Sequence, residues 1–363
     1  EVREALPECN TAPGPDGLSA RILRKMPTDI LARIYNLLLW CRRLPVHLRS
    51  ARKVLIPKIK ESSSPAEYRP ITVASTLVRG FHKVLARRMN RLISLDKRQR
   101  GFSATDGCAD NVFLLDLIQR HHHTRHKALY VASIDVAKAF DTVAHSAIMQ
   151  TLGARGCPEP MLDYVRSVYS DATTTFTSDG WQAQAIHPRQ GVRQGDRLSP
   201  FIFNMVMDRL QTSLPDEVGA DIDGVKVCAI AFAEDLVLTA STAAGLHQLL
   251  NRAGGFLALC GMSVNTGKSF SVSIGTVPRQ KKTTVDPGTF LLGGQKLVAK
   301  KRTEKWKYLG VLFTPEGRMR FEPTTLSNAL LRISKAPLKP QQRLFALRIY
   351  LLQGLYPAAS LGA

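Results

Sequence analysis

Three acidic residues follow or interrupt apolar segments, in positions where carboxylates could bind metal ions. Asp135 directly follows the apolar segment 128–134, whereas Glu234 and Asp235 interrupt an apolar stretch within residues 225–240. Short apolar segments rich in β-branched residues predict strands, and the short acidic interval predicts a tight hairpin. If the two regions pair side by side, the three carboxylates meet. Such carboxylates repel one another and lose hydration, a cost that bound cations offset.

This arrangement predicts a site for nucleotidyl transfer. Carboxylates at strand ends suit Mg²⁺, which binds a few protein oxygens and leaves positions for water and phosphate. Two such ions stabilise the attacking and leaving oxygens of an in-line phosphoryl displacement. We therefore expect Asp135, Glu234 and Asp235 to be catalytic metal ligands for two Mg²⁺ ions, with Mn²⁺ as a substitute. An acidic turn that faces water is the alternative interpretation of the pair taken alone.

The 363-residue chain is strongly basic, with 50 Lys and Arg against 29 Asp and Glu and a net charge of +21. This excess predicts a polyanionic partner, because cationic side chains that contact phosphates release bound counterions. The six cysteines never show C-x-x-C spacing, which argues against a zinc site and fits a reducing compartment. Neither a membrane-spanning segment nor a signal peptide is predicted. The first residue, Glu1, indicates a fragment of a longer protein.

The segments around the acids alternate between predicted helices and strands. Helical spacing of apolar residues occurs at 18–23, 29–44, 77–95, 110–119, 146–152, 161–169, 201–210, 243–259 and, as two helices, 324–355. Further strands are predicted at 52–58, 173–177, 181–186 and 306–313. The histidine-rich segment 121–126 is interpreted as a solvated helix end and not a metal site, because no acid or cysteine is placed to complete one.

Two further sets of polar residues could bind a nucleotide. Arg52, Lys58 and Arg69 lie on predicted neighbouring strands, where they could form a cradle for a triphosphate. Three solvated surface cations are the alternative. The polar, glycine-containing segment 190–200 begins a predicted helix. A loop that leads into a helix N-terminus places Gln194 well to face a nucleotide or template base.

The motifs resemble those of a reverse transcriptase of the non-LTR retrotransposon type. They occur in the order typical of that family and extend over nearly the whole chain. The loop at 12–17 resembles an N-terminal motif that these enzymes share with group II intron proteins, and 56–58 with 68–71 resembles their fingers motifs. The segment 335–343 resembles the thumb entry of the site-specific elements that insert into ribosomal RNA genes. We therefore expect the chain to be the polymerase portion of such a protein.

The resemblance implies a role for each motif residue. Asp135 matches the first catalytic acid of the palm, and Glu234 with Asp235 takes the place of the paired aspartates. Phe140, five residues beyond Asp135, would be the gate that excludes a ribose 2′-hydroxyl. The implied dNTP-binding residues are Arg52, Lys58, Arg69, Phe140, Gln194, Gly195 and Lys268, the last in a motif that includes Asn265. The implied primer grip consists of Tyr308, Leu309 and Gly310.

The resemblance also implies an architecture. The expected fold is an α+β right-hand polymerase whose palm is an antiparallel sheet backed by helices. The expected domains are fingers at 1–100 and 142–190, palm at 101–141 and 191–315, and a partial thumb at 316–363.

The implied function is RNA-directed DNA polymerisation by a retrotransposon enzyme that extends a DNA 3′-OH, supplied by nicked target DNA, on the element RNA. The implied partners are template RNA, primer or target DNA and dNTPs, with no membrane, and the implied location is the nucleus after cytoplasmic synthesis. The alternative is a catalytically silent copy that only binds nucleic acid. It is suggested by departures from the family pattern at Glu234, Arg197, Gln353, Gly354 and Pro357.

Overall fold

The computed structural model describes residues 1–352 apart from positions 60, 63, 65, 66, 103–105, 179, 180, 278, 279 and 320–322. The thumb positions Gln353, Gly354 and Pro357 lie outside the described residues. The chain forms two compact units. The first comprises Glu1–Gln99, Val136–Ser213 and Ala253–Val264, and the second comprises Arg100–Asp135, Leu214–Arg252 and the chain from Asn265 onward.

Helices occur in every region where helical periodicity predicts them. Helices α1–α5 are Val2–Ala5, Ala20–Lys25, Thr28–Trp40, Val46–Arg49 and Thr76–Leu92. Helices α6–α10 are Gly107–Thr124, Ala139–Thr142, His145–Ala154, Glu159–Ser170 and Ser199–Thr212. Helices α11–α13 are Ala243–Leu259, Pro323–Lys335 and Pro340–Ala346, with a 3₁₀ turn at Asp216–Val218 and a π-helical turn at Leu347–Leu352. None of these described helices combines the length and the apolar character needed to cross a bilayer.

Strands are short and numerous. Strands β1–β6 are Ser50–Pro57, Tyr68–Ala74, Leu129–Ile134, Val136–Ala137, Thr173–Ser178 and Trp181–Gln182. Strands β7–β12 are Ala220–Ile222, Val225–Val227, Ala229–Phe232, Asp235–Ala240, Ser263–Val264 and Phe270–Val277. Strands β13–β19 are Lys282–Val285, Leu291–Leu292, Gln295–Lys296, Val298–Ala299, Trp306–Tyr308, Val311–Thr314 and Gly317–Arg318.

The first unit contains a four-stranded sheet in the order β2-β1-β5-β6. Strand β1 is antiparallel to β2, with Ile56 opposite Arg69, and parallel to β5. The predicted pairing of the two cation-bearing strands is therefore confirmed. Helix α5 supplies much of the core of this unit, because its apolar residues recur every three or four positions between Leu77 and Met89 and are buried.

The second unit is built on a sheet in the order β13-β12-β3-β10-β9, antiparallel at each step. Val131, Val237 and Val272 of the three central strands are buried in one cluster with Ile118 of α6. Strands covered in this way are rich in β-branched residues, which is why their apolar pattern is visible in the sequence. This antiparallel sheet with a helix packed against it confirms the expected α+β core.

Three sequence predictions are wrong in detail. The strand predicted at 181–186 ends at Gln182. The segment 306–313 is not one strand but the hairpin of β17 and β18, because Leu309 and Gly310 adopt left-handed φ values of +44° and +92°. The histidines of α6 are not a solvated helix end. His122 is fully buried and its Nδ1 lies 2.8 Å from the carbonyl oxygen of Ala128, so a hydrogen bond satisfies one of its two ring nitrogens.

Candidate active site

The predicted hairpin around the acidic pair is present in the second unit. Strands β9 and β10 pair up to Phe232 opposite Asp235, so Ala233 and Glu234 form a two-residue turn. Ala233 has a φ of +52°. This left-handed conformation costs a residue other than glycine roughly 1–3 kcal/mol. The sequence gives no sign of it, because alanine is not a residue that favours such a turn.

Asp135 and Asp235 are brought together by the pairing of β3 with β10. Leu236 lies opposite Ile134, and the next residues along this register are Asp235 and Asp135. Opposite residues on antiparallel strands have Cβ atoms about 5 Å apart. The predicted juxtaposition of these two acids is therefore confirmed.

The pKa of Asp235 reflects its burial and the charges of Glu234 and Asp135. Partial burial, followed by the charges of Glu234 and Asp135, raises the pKa of Asp235 from 3.8 to about 6. The Asp235 side chain nevertheless remains accessible to solvent at the end of the hairpin. The unfavourable charge at this accessible position is what a bound cation would neutralise.

The donor chemistry at the hairpin fits a hard divalent cation. Within the described parts of the chain, no group of three or more His, Cys, Asp or Glu side chains is placed to hold a metal ion, so the predicted meeting of all three carboxylates is not seen. The donors at hand are carboxylate oxygens, which suit Mg²⁺ or Mn²⁺ better than a soft metal. Mg²⁺ is commonly held by one or two carboxylates and completed by water and substrate phosphates. The acids of the hairpin therefore fit a cation that binds together with a nucleotide.

A turn from Asn265 to Ser269 holds the backbone of Asp135. The Asn265 amide donates to the Asp135 carbonyl at 2.8 Å, and the Asp135 amide donates to Ser269 Oγ at 2.9 Å. Ser269 is buried. Lys268, which the family resemblance assigns to the dNTP site, is exposed in the same turn. The structure thus brings the turn that carries Lys268 to Asp135.

Two residues absent from the sequence prediction fix the strand before the hairpin turn. Asn111 of α6 is fully buried and donates from Nδ2 to the Ala231 carbonyl at 2.9 Å. The Arg100 amide donates to the same carbonyl at 3.1 Å, and Arg100 Nη1 donates to Asn111 Oδ1 at 3.2 Å. Because Ala231 lies opposite Leu236, these bonds hold β9 in the register that positions Glu234. An asparagine within an otherwise apolar helix face is the one sequence signal that indicates these hydrogen bonds.

The implied primer-grip residues form the turn between β17 and β18. Tyr308 lies opposite Val311, so Leu309 and Gly310 are the two central residues. Positive φ at both central positions is the requirement of a type I′ hairpin turn. Burial, followed by the charge of Asp235, raises the pKa of Tyr308 far above its usual value. Tyr308 is therefore a protonated phenol close enough to Asp235 to interact with it.

The three implied triphosphate-binding cations have different surroundings in the first unit. Arg52 Nη2 donates to the Pro13 carbonyl at 3.1 Å, so part of the guanidinium group holds the N-terminal loop. The side chains of Lys58 and Arg69 are exposed. Lys58 directly follows β1 and Arg69 lies near the start of β2, on either side of the segment that connects the two strands. The Arg52 side chain is thus partly buried and bonded to the N-terminal loop, whereas the side chains of Lys58 and Arg69 are exposed.

Gln194 and Gly195 lie in a loop that is fixed against β2. The Thr72 amide donates to the Gln194 carbonyl at 2.6 Å, and Gln194 Nε2 donates to Asp141 Oδ2 at 3.0 Å. Gly195 has a φ of +96°, and a Cβ at this position would lie 2.9 Å from the Thr72 carbonyl oxygen. Both the backbone conformation and the close approach therefore require glycine.

Asp141 connects this loop to a polar cavity of about 80 Å³. Burial raises the pKa of Asp141, whereas the charge of Lys53 and the hydrogen bond from Gln194 lower it. The cavity is lined by Lys53, Thr72, Asp141, His145, Gln190 and Arg193, among others. Polar groups around a space of this size suit ordered water. Asp141 was missed in the sequence prediction, although it directly follows Phe140.

Phe140 has a fixed ring position in the first unit. Its ring stacks on that of Phe203 in α10, with centroids 4.4 Å apart and an interplanar angle of 19°. The Phe140 carbonyl also accepts a 2.7 Å hydrogen bond from the Val192 amide. Helix α10 and the loop before it therefore position this aromatic ring.

The predicted site residues are divided between the two units. The second unit contains Asp135, Glu234, Asp235, Lys268, Tyr308, Leu309 and Gly310. The first unit contains Arg52, Lys58, Arg69, Phe140, Gln194 and Gly195.

The chain belongs to the family described as reverse transcriptase (RNA-dependent DNA polymerase), whose model matches residues 56–313. The predicted family is therefore confirmed. The chain is 45% identical, over its whole length, to the retrovirus-related Pol polyprotein of the type-2 retrotransposable element R2DM of Drosophila melanogaster and covers 34% of that protein. It is 34% identical, over 97% of its length, to the R2 polyprotein of Nasonia vitripennis and again covers 34% of it. The chain thus spans about a third of the length of the curated relatives it matches.

Solved structures establish the fold class. Apo telomerase of Candida tropicalis, truncated from its C-terminal domain, matches with a TM-score of 0.50 and 12% identity over 82% of this chain and 59% of that chain. Telomerase of Candida albicans with a telomeric RNA fragment matches with a TM-score of 0.50 and 13% identity over 92% of this chain and 57% of that one. At these identities the likeness shows the fold alone, which is the predicted right-hand polymerase fold.

Proposed function

We propose that the chain is an RNA-directed DNA polymerase that extends a DNA 3′-OH on an RNA template by two-metal nucleotidyl transfer. The observation that carries this proposal is the pairing of β3 with β10, which aligns Asp135 with Asp235 and leaves Glu234 in the adjoining turn. Membership of the reverse transcriptase family supports RNA as template and DNA as product. Similarity to R2 retrotransposon polyproteins supports a retrotransposon enzyme, for which we propose target-primed synthesis on element RNA.

The three acids are the proposed metal ligands. When bound, two divalent cations would supply charge neutralisation of the triphosphate and of the attacking 3′-oxygen. Asp135 and Asp235 approach from neighbouring strand ends, and Glu234 approaches from the turn. Because Asn111 and Ser269 hold the backbone on either side, the carboxylates are positioned before substrate binds.

The remaining motif residues have proposed roles in selecting the nucleotide and holding the primer. Lys58, Arg69 and, through the part of its guanidinium not bonded to Pro13, Arg52 would bind the triphosphate. Phe140 would exclude the 2′-hydroxyl. The other proposed contacts are Gln194 and Gly195 at the nascent base pair, Lys268 at the pyrophosphate, and Tyr308, Leu309 and Gly310 at the primer end.

The proposed domains are fingers at 1–100 and 142–190, palm at 101–141 and 191–315, and thumb from 316. The proposed partners are template RNA, primer or nicked target DNA and dNTPs, which the net charge of +21 supports. Priming on chromosomal DNA would require the chain to act in the nucleus.

Primer extension tests the proposal directly. The chain is incubated with a homopolymer RNA template, an annealed DNA primer and the complementary dNTP, in Mg²⁺ and separately in Mn²⁺. We expect metal-dependent incorporation that Asp135→Asn abolishes. Asp29→Asn, which changes an exposed acid of α3, is the matched control and should incorporate like the unsubstituted chain. Binding of template and primer without incorporation in either metal would overturn the proposal in favour of a silent binding module.

A further inference from the structure

A buried carboxylate directly follows the loop that carries Gln194 and Gly195. Asp196 is 5% exposed. Its Oδ1 accepts a 2.8 Å hydrogen bond from the Leu198 amide, just before α10. Its Oδ2 lies 2.6 Å from Nδ1 of His82, a residue of α5 that is 1% exposed. The end of the loop is therefore tied to two helices through one side chain.

His82 also contacts Tyr164, a fully buried residue of α9. The Tyr164 hydroxyl lies 2.8 Å from His82 Nε2. Burial, followed by the charge of Asp196, raises the pKa of Tyr164 well above its usual value, so the phenol keeps its hydrogen. One hydrogen-bond arrangement that satisfies all three groups has the Tyr164 hydroxyl donating to Nε2 and the Nδ1–H donating to Asp196.

The ionised state of the buried Asp196 carboxylate is stabilised by its neighbours. Burial alone would raise the pKa of Asp196, but its interactions with His82, the Leu198 amide and the Arg193 guanidinium hold it below the usual value. A desolvated carboxylate that loses a hydrogen-bond donor is destabilised in place and moves toward water. The preceding residue, Gly195, lacks a Cβ and has a φ of +96°, so its backbone can adopt φ and ψ values closed to other residues if Asp196 moves.

We infer that His82 is a positioning residue of the nucleotide pocket, which acts through Asp196 to fix the peptide after Gly195 and hence the direction of Gln194. Tyr164 fixes the tautomer and the orientation of the imidazole ring. On the other side of the loop, the Thr72 amide holds the Gln194 carbonyl. The inference rests on the proposed function, since that function assigns Gln194 and Gly195 to the nucleotide.

A matched pair of substitutions at His82 separates positioning from packing. The side-chain amide of asparagine reaches the position of Nδ1, so His82→Asn keeps a donor to Asp196. The amide of glutamine reaches the position of Nε2, so His82→Gln serves Tyr164 and leaves Asp196 without the donor that His82 supplies. We expect His82→Gln to raise the KM for dNTP about tenfold at similar kcat. His82→Asn should stay near the unsubstituted chain, and template–primer affinity should be unchanged in both variants.

His122 supplies the control, because it is another fully buried histidine bonded through Nδ1, here to the Ala128 carbonyl. His122→Asn and His122→Gln should lower thermal stability without changing the KM. If both His82 variants lower stability equally and leave the KM unchanged, His82 serves packing only and the inference fails.

Hydrogen exchange provides a readout that needs no catalysis. Amides of residues 193–197 should exchange faster in His82→Gln than in His82→Asn, even if no variant incorporates dNTP. Equal exchange rates would contradict the inference whatever the polymerase assay shows. Absence of incorporation by the unsubstituted chain would instead contradict the proposed function.

Discussion

The amide of Asp135 donates a 2.9 Å hydrogen bond to the hydroxyl of Ser269. The same hydroxyl donates to the Asn265 carbonyl at 2.8 Å, so a single side chain joins the end of β3 to the turn that carries Lys268. Ser269 directly precedes β12, so the pairing of β12 with β3 sets the position of Ser269. The backbone from which the Asp135 carboxylate projects therefore depends on a residue outside the motif itself.

Ser269→Ala is expected to lower kcat by about tenfold, because the unpaired Asp135 amide relaxes and shifts the carboxylate. The loss of a buried hydrogen bond should also reduce the free energy of unfolding by about 1–3 kcal/mol. Steady-state kinetics and denaturant unfolding measure the two effects. Ser271→Ala is the matched control, because Ser271 is buried in β12, two residues further on, and its hydroxyl has no hydrogen-bond partner in the described structure. Equal kinetics in the two variants would contradict the anchoring role.

The raised pKa of Asp235 predicts a pH-dependent gain in stability for Asp235→Asn. A folded-state pKa of about 6 lies above the ordinary value of 3.8, so ionised Asp235 destabilises the metal-free fold. This penalty is absent near pH 3, grows as pH rises, and is complete above about pH 7. Because the side chain is accessible, solvent screening should keep the gain of Asp235→Asn to about 1 kcal/mol or less.

Thermal unfolding in EDTA checks this prediction. The variant should be more stable than the unsubstituted chain at pH 7.5 and equal to it near pH 3.5. Mg²⁺ with a non-hydrolysable dNTP should stabilise the unsubstituted chain more than the variant. A gain that is the same at both pH values would mean that repulsion among the carboxylates is not its cause.

The different surroundings of Arg52, Lys58 and Arg69 predict different effects of their substitution on nucleotide use and stability. Lys58→Ala and Arg69→Ala should raise the KM for dNTP severalfold or more with little effect on template affinity, because a triphosphate contact is local and template contacts are shared among many phosphates. Arg52→Ala should in addition lower the free energy of unfolding by about 1–2 kcal/mol, since its bond to the Pro13 carbonyl is lost. Kinetics, filter binding and denaturant unfolding distinguish the cases. Equal losses of template affinity and dNTP use would make Lys58 and Arg69 general nucleic-acid contacts.

The hairpin and its acids could be predicted from the sequence, because the apolar pattern of buried strands is local and the carboxylates interrupt it. The residues that support them could not. His82 meets Asp196 across 114 residues, Asn111 meets Ala231 across 120, and Asp135 meets Ser269 across 134. Such contacts are set by tertiary packing and leave no periodic signal. His122 shows the same limit, since its polarity suggests exposure and a backbone carbonyl permits its burial.

The position of Phe140 predicts its effect on sugar selection. Phe140→Ala should admit ribonucleotides, because removal of the ring opens the space that a 2′-hydroxyl would occupy. The stacked ring of Phe203 loses a contact in this variant, so some stability should be lost as well. Phe203→Leu is the control, since it removes the stacking partner and retains the Phe140 ring. Unchanged selectivity for dNTP over rNTP in Phe140→Ala would rule out the gate.

The last prediction concerns Glu234, which stands in the turn where the family has aspartate. Its extra methylene allows the carboxylate to reach a cation, but not easily in the near-ideal octahedral geometry that Mg²⁺ demands. We expect weak or no polymerisation in Mg²⁺, partial recovery in Mn²⁺ and a gain of about two decades in rate from Glu234→Asp. That gain corresponds to about 2.7 kcal/mol of transition-state stabilisation.

Primer extension in both metals measures the effect, and Asp135→Asn in either background should remain inactive. An unchanged rate in Glu234→Asp would mean that glutamate already serves the metal or that another departure limits the enzyme. Arg197, exposed in the loop just after Asp196, is the departure to test. If Arg197→Pro raises the rate only in the Glu234→Asp background, the pocket loop is the remaining limit. If the unsubstituted chain already polymerises efficiently in Mg²⁺ and neither substitution changes that rate, glutamate is fully competent at this turn.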